Sequence, residues 1–405
     1  MEKNILIVTT TSDFLGKFEQ DNVRTLQSLG YEVHYATNIH EPAYHDSTPL
    51  IRSLGVHLHP IAIARSPYQL RANLTALRQL IHLIDRHHIA LLHCHTPVGG
   101  ILGRLAARLS PRRPRVIYTA HGFHFYHGAP LIAHLLYYPA ERLLARLTDV
   151  LIVINEEDYR AARHFILKKG GSLYKLPGAG LNTNRFYPLT AQQRRFYRSK
   201  LGLRPGQLLL VSAGELTANK NHETILRALA LLCRQNRCPP LRYFILGDGF
   251  LKAHLAQQIQ TLELTDMVTL YGYCHHVPLI LGCADLSLFP SHREGLGMAA
   301  LESLAMGVPV IAADNRGTRE YMVPRKTGYL CRSDDPAAFA DAIAAFARLA
   351  GPERRAMKHA CINAAKPFET RYSSAIMKRI YQSLGGEHAI PYHQHHHERL
   401  QSTKS

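Results

Sequence analysis

The sequence predicts an α/β protein of two doubly wound parallel-sheet units, and three observations predict it. Short runs rich in β-branched and aliphatic residues alternate with longer helix-period segments from end to end. The rhythm pauses once, after Phe186-Tyr187-Pro188, and restarts at residue 208. The chain has 405 residues, 46% of them hydrophobic, enough for two domains that each bury a core.

In the first half the strand-like runs are ILIVTT (5–10), YEVHYAT (31–37), LLHCHT (91–96), RVIYTAHG (115–122) and VLIVINEE (150–157), with helical patterns such as FEQDNVRTLQSLG and NLTALRQLIHLIDRHH between them. Strands this continuously apolar belong to a parallel sheet covered on both faces. A polar, arginine-rich helical stretch, TAQQRRFYRSKLGL, follows residue 188. LLLVSAGEL (208–216), RYFILGDG (242–249), VTLYGY (268–273), LSLFPS (286–291) and PVIAAD (309–314) then repeat the pattern. The expected division is a first domain over 1–187, a second over 188–365, and a last helix over 366–385 that packs back on the first. Residues 386–405 are polar and histidine-rich without apolar period, and are expected to be disordered.

The start MEKNILIVTT lacks the positive region and cleavage site of a signal peptide. No apolar run approaches the roughly 18 residues of a spanning helix. A cytoplasmic or peripheral protein is expected. Seven scattered cysteines without a CxxC pair read as reduced core thiols. The formal net charge of +18 implies a polyanionic partner. No nucleic-acid module accompanies it, so no nucleic acid is expected, and anionic lipid or diphosphate substrates are the better candidates. The densest basic run is RLAARLSPRRPR (104–115), read as a solvated surface or an anionic-lipid contact, with Arg104 and Arg108 on one helical face.

Ligands of open α/β sheets bind at the carboxyl ends of the strands. After the strand LSLFPS comes HREGLGMAALESLAMGVPV (292–310), with Glu294 at the strand end and a helix expected from Gly297 or Met298. Gly295 and Gly297 let backbone approach a ligand, and the first-turn N–H groups suit a phosphate or a sugar. Glu302 then lies about 7–8 Å along the helix at 1.5 Å per residue. Carboxylates accept well from vicinal diols, and a nucleotide sugar carries diols on both sides of a diphosphate. The spacing suits an extended ligand of that kind.

HREGLGMAALESLAMGVPVIAADNRGTREYM resembles the E-x7-E nucleotide-sugar signature of family 4 glycosyltransferases. GELTANKNHETILRALA (214–230) and LPGAGLNTNRF (176–186) strengthen the resemblance, which runs to about residue 385. The segment 118–159 is similar to a bacterial subgroup that builds exopolysaccharide, capsule and lipid-linked oligosaccharides. The resemblance implies the GT-B fold, two Rossmann-like domains facing a central cleft, and a retaining, metal-independent hexosyltransferase without cofactor. It implies a nucleotide-sugar donor, UDP-linked by expectation, a polyprenyl-diphosphate-linked acceptor, and a peripheral location at the inner face of the plasma membrane.

Residue by residue, it implies that Glu294 binds the donor hexose and Glu302 the ribose diol. Gly295, Leu296 and Gly297 present N–H groups to sugar and phosphates, and Lys220 meets the diphosphate. His121 stands against the donor sugar, and His124 and Tyr126 are acceptor-side neighbours. Gly247 and Gly249 of GDG are expected near the nucleotide, and Gly16 in a loop near the diphosphate and acceptor. Glu215 departs from the family, many of whose members have an arginine there, which leaves the diphosphate to Lys220, backbone amides and the Arg319 region. His93 and His95 have H-x-H spacing, but no carboxylate cluster completes a metal set, and no metal is expected. Three other readings stay open: a UDP-sugar epimerase of the same architecture, a non-catalytic sugar-nucleotide sensor, and, on charge alone, a nucleic-acid binder.

Overall fold

Residues 5–8 and 208–211 are unbroken apolar runs, and all are buried. A strand buried along its whole length needs cover on both faces, which parallel sheets obtain from crossover helices. The computed structural model describes residues 3–41 and 47–385. β1 (Asn4–Val8), β2 (Glu32–Thr37), β3 (His57–Pro60), β4 (Leu91–His95), β5 (Arg115–Ala120), β6 (Val150–Val153) and β7 (Ser172–Lys175) form a sheet ordered β3-β2-β1-β4-β5-β6-β7. β8 (Leu208–Ala213), β9 (Leu241–Leu246), β10 (Val268–Gly272), β11 (Leu286–Phe289), β12 (Val310–Ala313) and β13 (Gly328–Cys331) form a second, ordered β10-β9-β8-β11-β12-β13. Every registered pair is parallel.

The expected strands are all present, and β3, β7 and β13 are additions that periodicity did not show. By contact density the chain forms two compact units. One takes Met1–Tyr118, Leu147–Asp149 and the chain from Ser374, and the other takes Thr119–Arg146 and Val150–Ser373. The last helix runs Thr370–Leu384, after a 3-10 turn at Lys366–Phe368. Its Tyr381 hydroxyl lies 3.0 Å from Nδ1 of His93 in the first unit. Residues 386–405, expected to be disordered, lie outside the described residues.

The arginine-rich stretch becomes the helix Ala191–Lys200, opened by a Thr190–Gln193 capping box. Its Arg194 and Arg198 reach Asp285 at 2.6 and 2.9 Å, which explains a helix that buries no apolar face. Arg104 corrects an expectation: it is 1% exposed, with its guanidinium 4.0 Å from the centre of the Tyr118 ring and Nε donating to the Gly100 carbonyl. Of the five arginines in that run, Arg108, Arg112, Arg113 and Arg115 are the exposed ones.

Candidate active site

The second sheet runs outward from β8 to β9 and β10, then resumes at β11 on the other side of β8. Loops leaving β8 and β11 therefore turn away from each other, and the crevice between them is where such sheets hold ligands. Lys220 and Glu294 stand in those two loops and meet, with Nζ donating to Oε1 at 2.6 Å. Their side chains are 25% and 14% exposed, shielded but open to a ligand. Asn219 fastens the loops together: its amide donates to the Arg293 carbonyl, while its Oδ1 and backbone carbonyl accept from the Arg293 and His292 N–H groups. Asn221, left-handed at φ 54°, turns the chain into the helix His222–Arg234.

Gly295 is required by contact. A Cβ there would stand 1.9 Å from the His121 carbonyl oxygen, so the loops carrying Glu294 and His121 touch backbone to backbone. The Asn155 amide donates to the Gly295 carbonyl at 3.0 Å. Leu296 is an anchor, 3% exposed and packed where a side chain at Gly178 would come within 2.3 Å of it. Gly297, at φ 86°, opens the helix Met298–Ala305 that carries Glu302, as expected. Glu302 keeps some accessible surface, yet desolvation, partly offset by Arg185, pushes its carboxyl up to about 7.

Burial pushes His121 down to about 4, so at neutral pH its imidazole offers a hydrogen bond and no charge. His124 is also lowered to about 4, by burial and by Arg293 and Arg316, and its ring lies 4.8 Å from that of Tyr137. The Tyr126 ring faces the Arg316 and Arg293 guanidiniums at 5.1 and 6.0 Å.

Gly247 and Gly249 have a packing reason. A Cβ on either would stand 1.9 Å from the Gly214 carbonyl oxygen or 2.6 Å from that of Leu216, so GDG supports the loop that leads to Lys220. Gly16 lies in the other unit, in the helical turn Leu15–Glu19 rather than in a loop. A Cβ on it would meet Leu50 Cδ2 at 3.0 Å.

Arg316 is the residue the sequence reading missed. It is 6% exposed and donates to Asp158 Oδ1 at 2.6 Å, to the Phe123 carbonyl at 2.7 Å and to the Glu294 carbonyl at 3.3 Å. One guanidinium thus holds the His121 loop and the Glu294 loop together. The signal lay in DNRGTRE (314–320), a polar turn after β12. Arg319, expected to help with the diphosphate, is instead engaged by Asp314 at 2.7 and 3.2 Å. His93 and His95 need a second correction. Both are fully buried in the first unit, and the fold brings Glu19 within 3.6 Å of His95, a carboxylate 76 positions away that spacing could not reveal.

Residues 193–366 match the family described as Glycosyl transferases group 1, and residues 4–155 match Glycosyl transferase 4-like. EpsD of Bacillus subtilis, whose name marks it only provisionally as a glycosyltransferase, is 39% identical over 84% of this chain and 86% of its own length. The chain belongs to the family 4 glycosyltransferases. A second relative of this glycosyltransferase is the UDP-Gal:alpha-D-GlcNAc-diphosphoundecaprenol alpha-1,3-galactosyltransferase of Escherichia coli, 28% identical over 67% of this chain and 70% of that one. HepE of Anabaena in complex with UDP and glucose superposes with a TM-score of 0.73 at 17% identity, over 95% of this chain and 99% of HepE. Sucrose-phosphate synthase of Thermosynechococcus elongatus does so with 0.74 at 18% identity, over 95% and 100%. The fold of this glycosyltransferase is therefore GT-B.

Proposed function

We propose that this glycosyltransferase moves a hexose or N-acetylhexosamine from a UDP-linked donor to a polyprenyl-diphosphate-linked saccharide, in exopolysaccharide or capsule synthesis. The reaction retains anomeric configuration and uses no metal. The observation that carries the reading is the Lys220–Glu294 pair in the crevice between β8 and β11. A donor diphosphate competes with Glu294 for the Lys220 ammonium, and hexose hydroxyls compete with Lys220 for the Glu294 carboxylate. A nucleotide sugar satisfies both exchanges at once.

The bond from the anomeric carbon to the phosphate oxygen breaks, and its electron pair leaves with UDP. Lys220 and the N–H groups of Gly295, Leu296 and Gly297 meet the developing charge. The acceptor hydroxyl bonds the anomeric carbon on the same face and passes its proton to the departing phosphate. His121, neutral at pH 7, holds a donor hydroxyl, Glu302 takes the ribose diol, and His124 and Tyr126 border the acceptor. In this reading residues 1–187 serve the acceptor and 188–365 the donor.

The E. coli relative's name supplies a UDP-sugar and a diphosphoundecaprenol acceptor, and the HepE complex holds UDP and glucose. A peripheral membrane location has its own support. The helix Leu131–Ala145 leaves Leu131, Ile132, Leu135, Leu136 and Leu143 between 51% and 76% exposed, on a chain of formal charge +18. No helix among the described residues is long and apolar enough to cross a membrane.

The test is UDP or GDP release from a panel of nucleotide sugars, with and without a bacterial polyprenyl-diphosphate-saccharide fraction. Lipid-dependent turnover of one donor is expected, with Glu294→Ala and His121→Ala each reducing it by about 10²–10³-fold. Acceptor-independent donor conversion would replace the reading with an epimerase, and binding without turnover with a sensor.

A further inference from the structure

A second cluster of functional groups lies in the first unit, at the amino ends of β2 and β3, away from the strand ends that carry ligands in such sheets. His34 comes from β2, His57 and His59 from β3, and His87 caps the carboxyl end of the helix Leu70–Arg86. In the parallel register His34 pairs with His57 and Ala36 with His59, which puts these imidazoles on one face. His34 Nδ1 lies 2.9 Å from His59 Nε2, and the His87 ring is 4.7 and 4.9 Å from those of His34 and His59.

We infer that His34, His59 and His87 form a binding site for one divalent transition-metal ion of the zinc class, with His57 and Glu32 placed to complete its coordination. One ring nitrogen from each of the three lies within 4.8 Å of the others. A tetrahedral ion with Zn–N of 2.0–2.1 Å sets its ligands about 3.3 Å apart, so closure asks for roughly an ångström of side-chain motion. His87 is only partly buried and can supply it. His34 is 2% exposed, and its Nε2 has no hydrogen-bond partner, lying 3.6 Å from Glu32 Oε1. The same carboxylate oxygen is 3.0 Å from His57 Nε2.

The chemistry of the set favours this class of ion. Imidazole with a carboxylate beside it suits zinc, nickel and copper, not calcium or magnesium. Arg86, which repels His59 and His87, weakens the site without blocking it. A bound ion would tie the short edge strand β3 to β2 and to the end of the long helix. The site is independent of the sugar-transfer chemistry, and its test stands apart from it.

Five more histidines follow residue 385 (His388, His393, His395, His396 and His397) and would bind metal by themselves. The experiment therefore uses the full chain with those five changed to Ala, stripped with chelator and titrated calorimetrically with Zn²⁺ and spectroscopically with Co²⁺. One equivalent is expected at pH 7.5, with the intense visible bands of four-coordinate Co²⁺. His59→Ala and His87→Ala, at partly exposed positions that spare the core, should each weaken binding at least about tenfold while circular dichroism stays unchanged. No one-to-one binding below about 100 µM Zn²⁺, far weaker than protein zinc sites, overturns the inference. So does binding that both substitutions leave as it was.

Discussion

Arg316 and Asp158 form an ion pair with side chains 3% and 1% exposed. A buried pair is weak evidence of stability, but removing one partner strands the other without water, at a cost of about 3–5 kcal/mol. Arg316→Met should therefore lower the unfolding free energy by about that amount in a denaturant titration, and adding Asp158→Asn should recover part of it. Transfer activity should stay low in the double variant, because the Phe123 and Glu294 carbonyls lose their common donor. Glu302 makes a pH-dependent case. Its carboxyl, raised to about 7, ionises across the neutral range, and only the ionised form accepts from both hydroxyls of a diol. Donor affinity should rise between pH 6 and 8, and Glu302→Gln should bind more weakly with that rise gone, as read from donor KM against pH. Glu294 and Glu302 could be picked from the sequence because they follow a strand end at a helical spacing, and Lys220 through the resemblance carried by GELTANKNHETILRALA. The pairing of Arg316 with Asp158 could not be read, since the polar turn DNRGTRE does not point to a partner 158 positions away and burial alone makes the pair matter.

At the scale of elements, two loops meet through a glycine that has no room for a methyl group. Gly295→Ala must displace the His121 carbonyl, which a Cβ would approach to 1.9 Å. Forcing atoms into a filled space costs about 1–3 kcal/mol, and the displacement falls on the loop that carries His121. Gly128 is the control: its φ is 89° but nothing lies within 4 Å of its Cβ position, so Ala there meets only the left-handed backbone penalty of about 1–2 kcal/mol. Denaturation and turnover measured together should show Gly295→Ala losing both stability and activity, and Gly128→Ala losing stability alone. The three strands that periodicity missed have a common reason. β3, β7 and β13 are all edge strands of four residues, and their sequences HLHP, SLYK and GYLC hold few fully buried positions. An edge strand has one neighbour and partial cover, so selection for an apolar run is weak there. Interior strands carry the alternation rhythm; edges are decided by pairing.

Over the whole molecule, buried titratable groups set the pH range of stability. His34, His59, His121, His124 and His222 are lowered to about 4. The unfolded chain binds more protons than the folded one between about 4 and the ordinary 6.5, and stability rises with pH across that window. Glu19 and Glu302 act with the opposite sign. Raised to about 8 and about 7, they hold protons in the folded state that the unfolded chain releases above about 4.5, so stability falls as pH climbs toward 8. Five histidines outweigh two carboxyls between 4.5 and 6.5, and only the carboxyls act above it. Tm should therefore peak near pH 6.5, fall steeply toward pH 4 where the net charge of +18 grows further, and decline gently toward pH 8.5. Glu19→Gln should flatten the alkaline limb and leave the acid limb in place, because Glu19 is the more strongly raised and the more deeply buried of the two carboxyls. A wild-type alkaline limb that Glu19→Gln leaves unchanged would mean instead that Glu19 is already ionised in the folded protein at neutral pH.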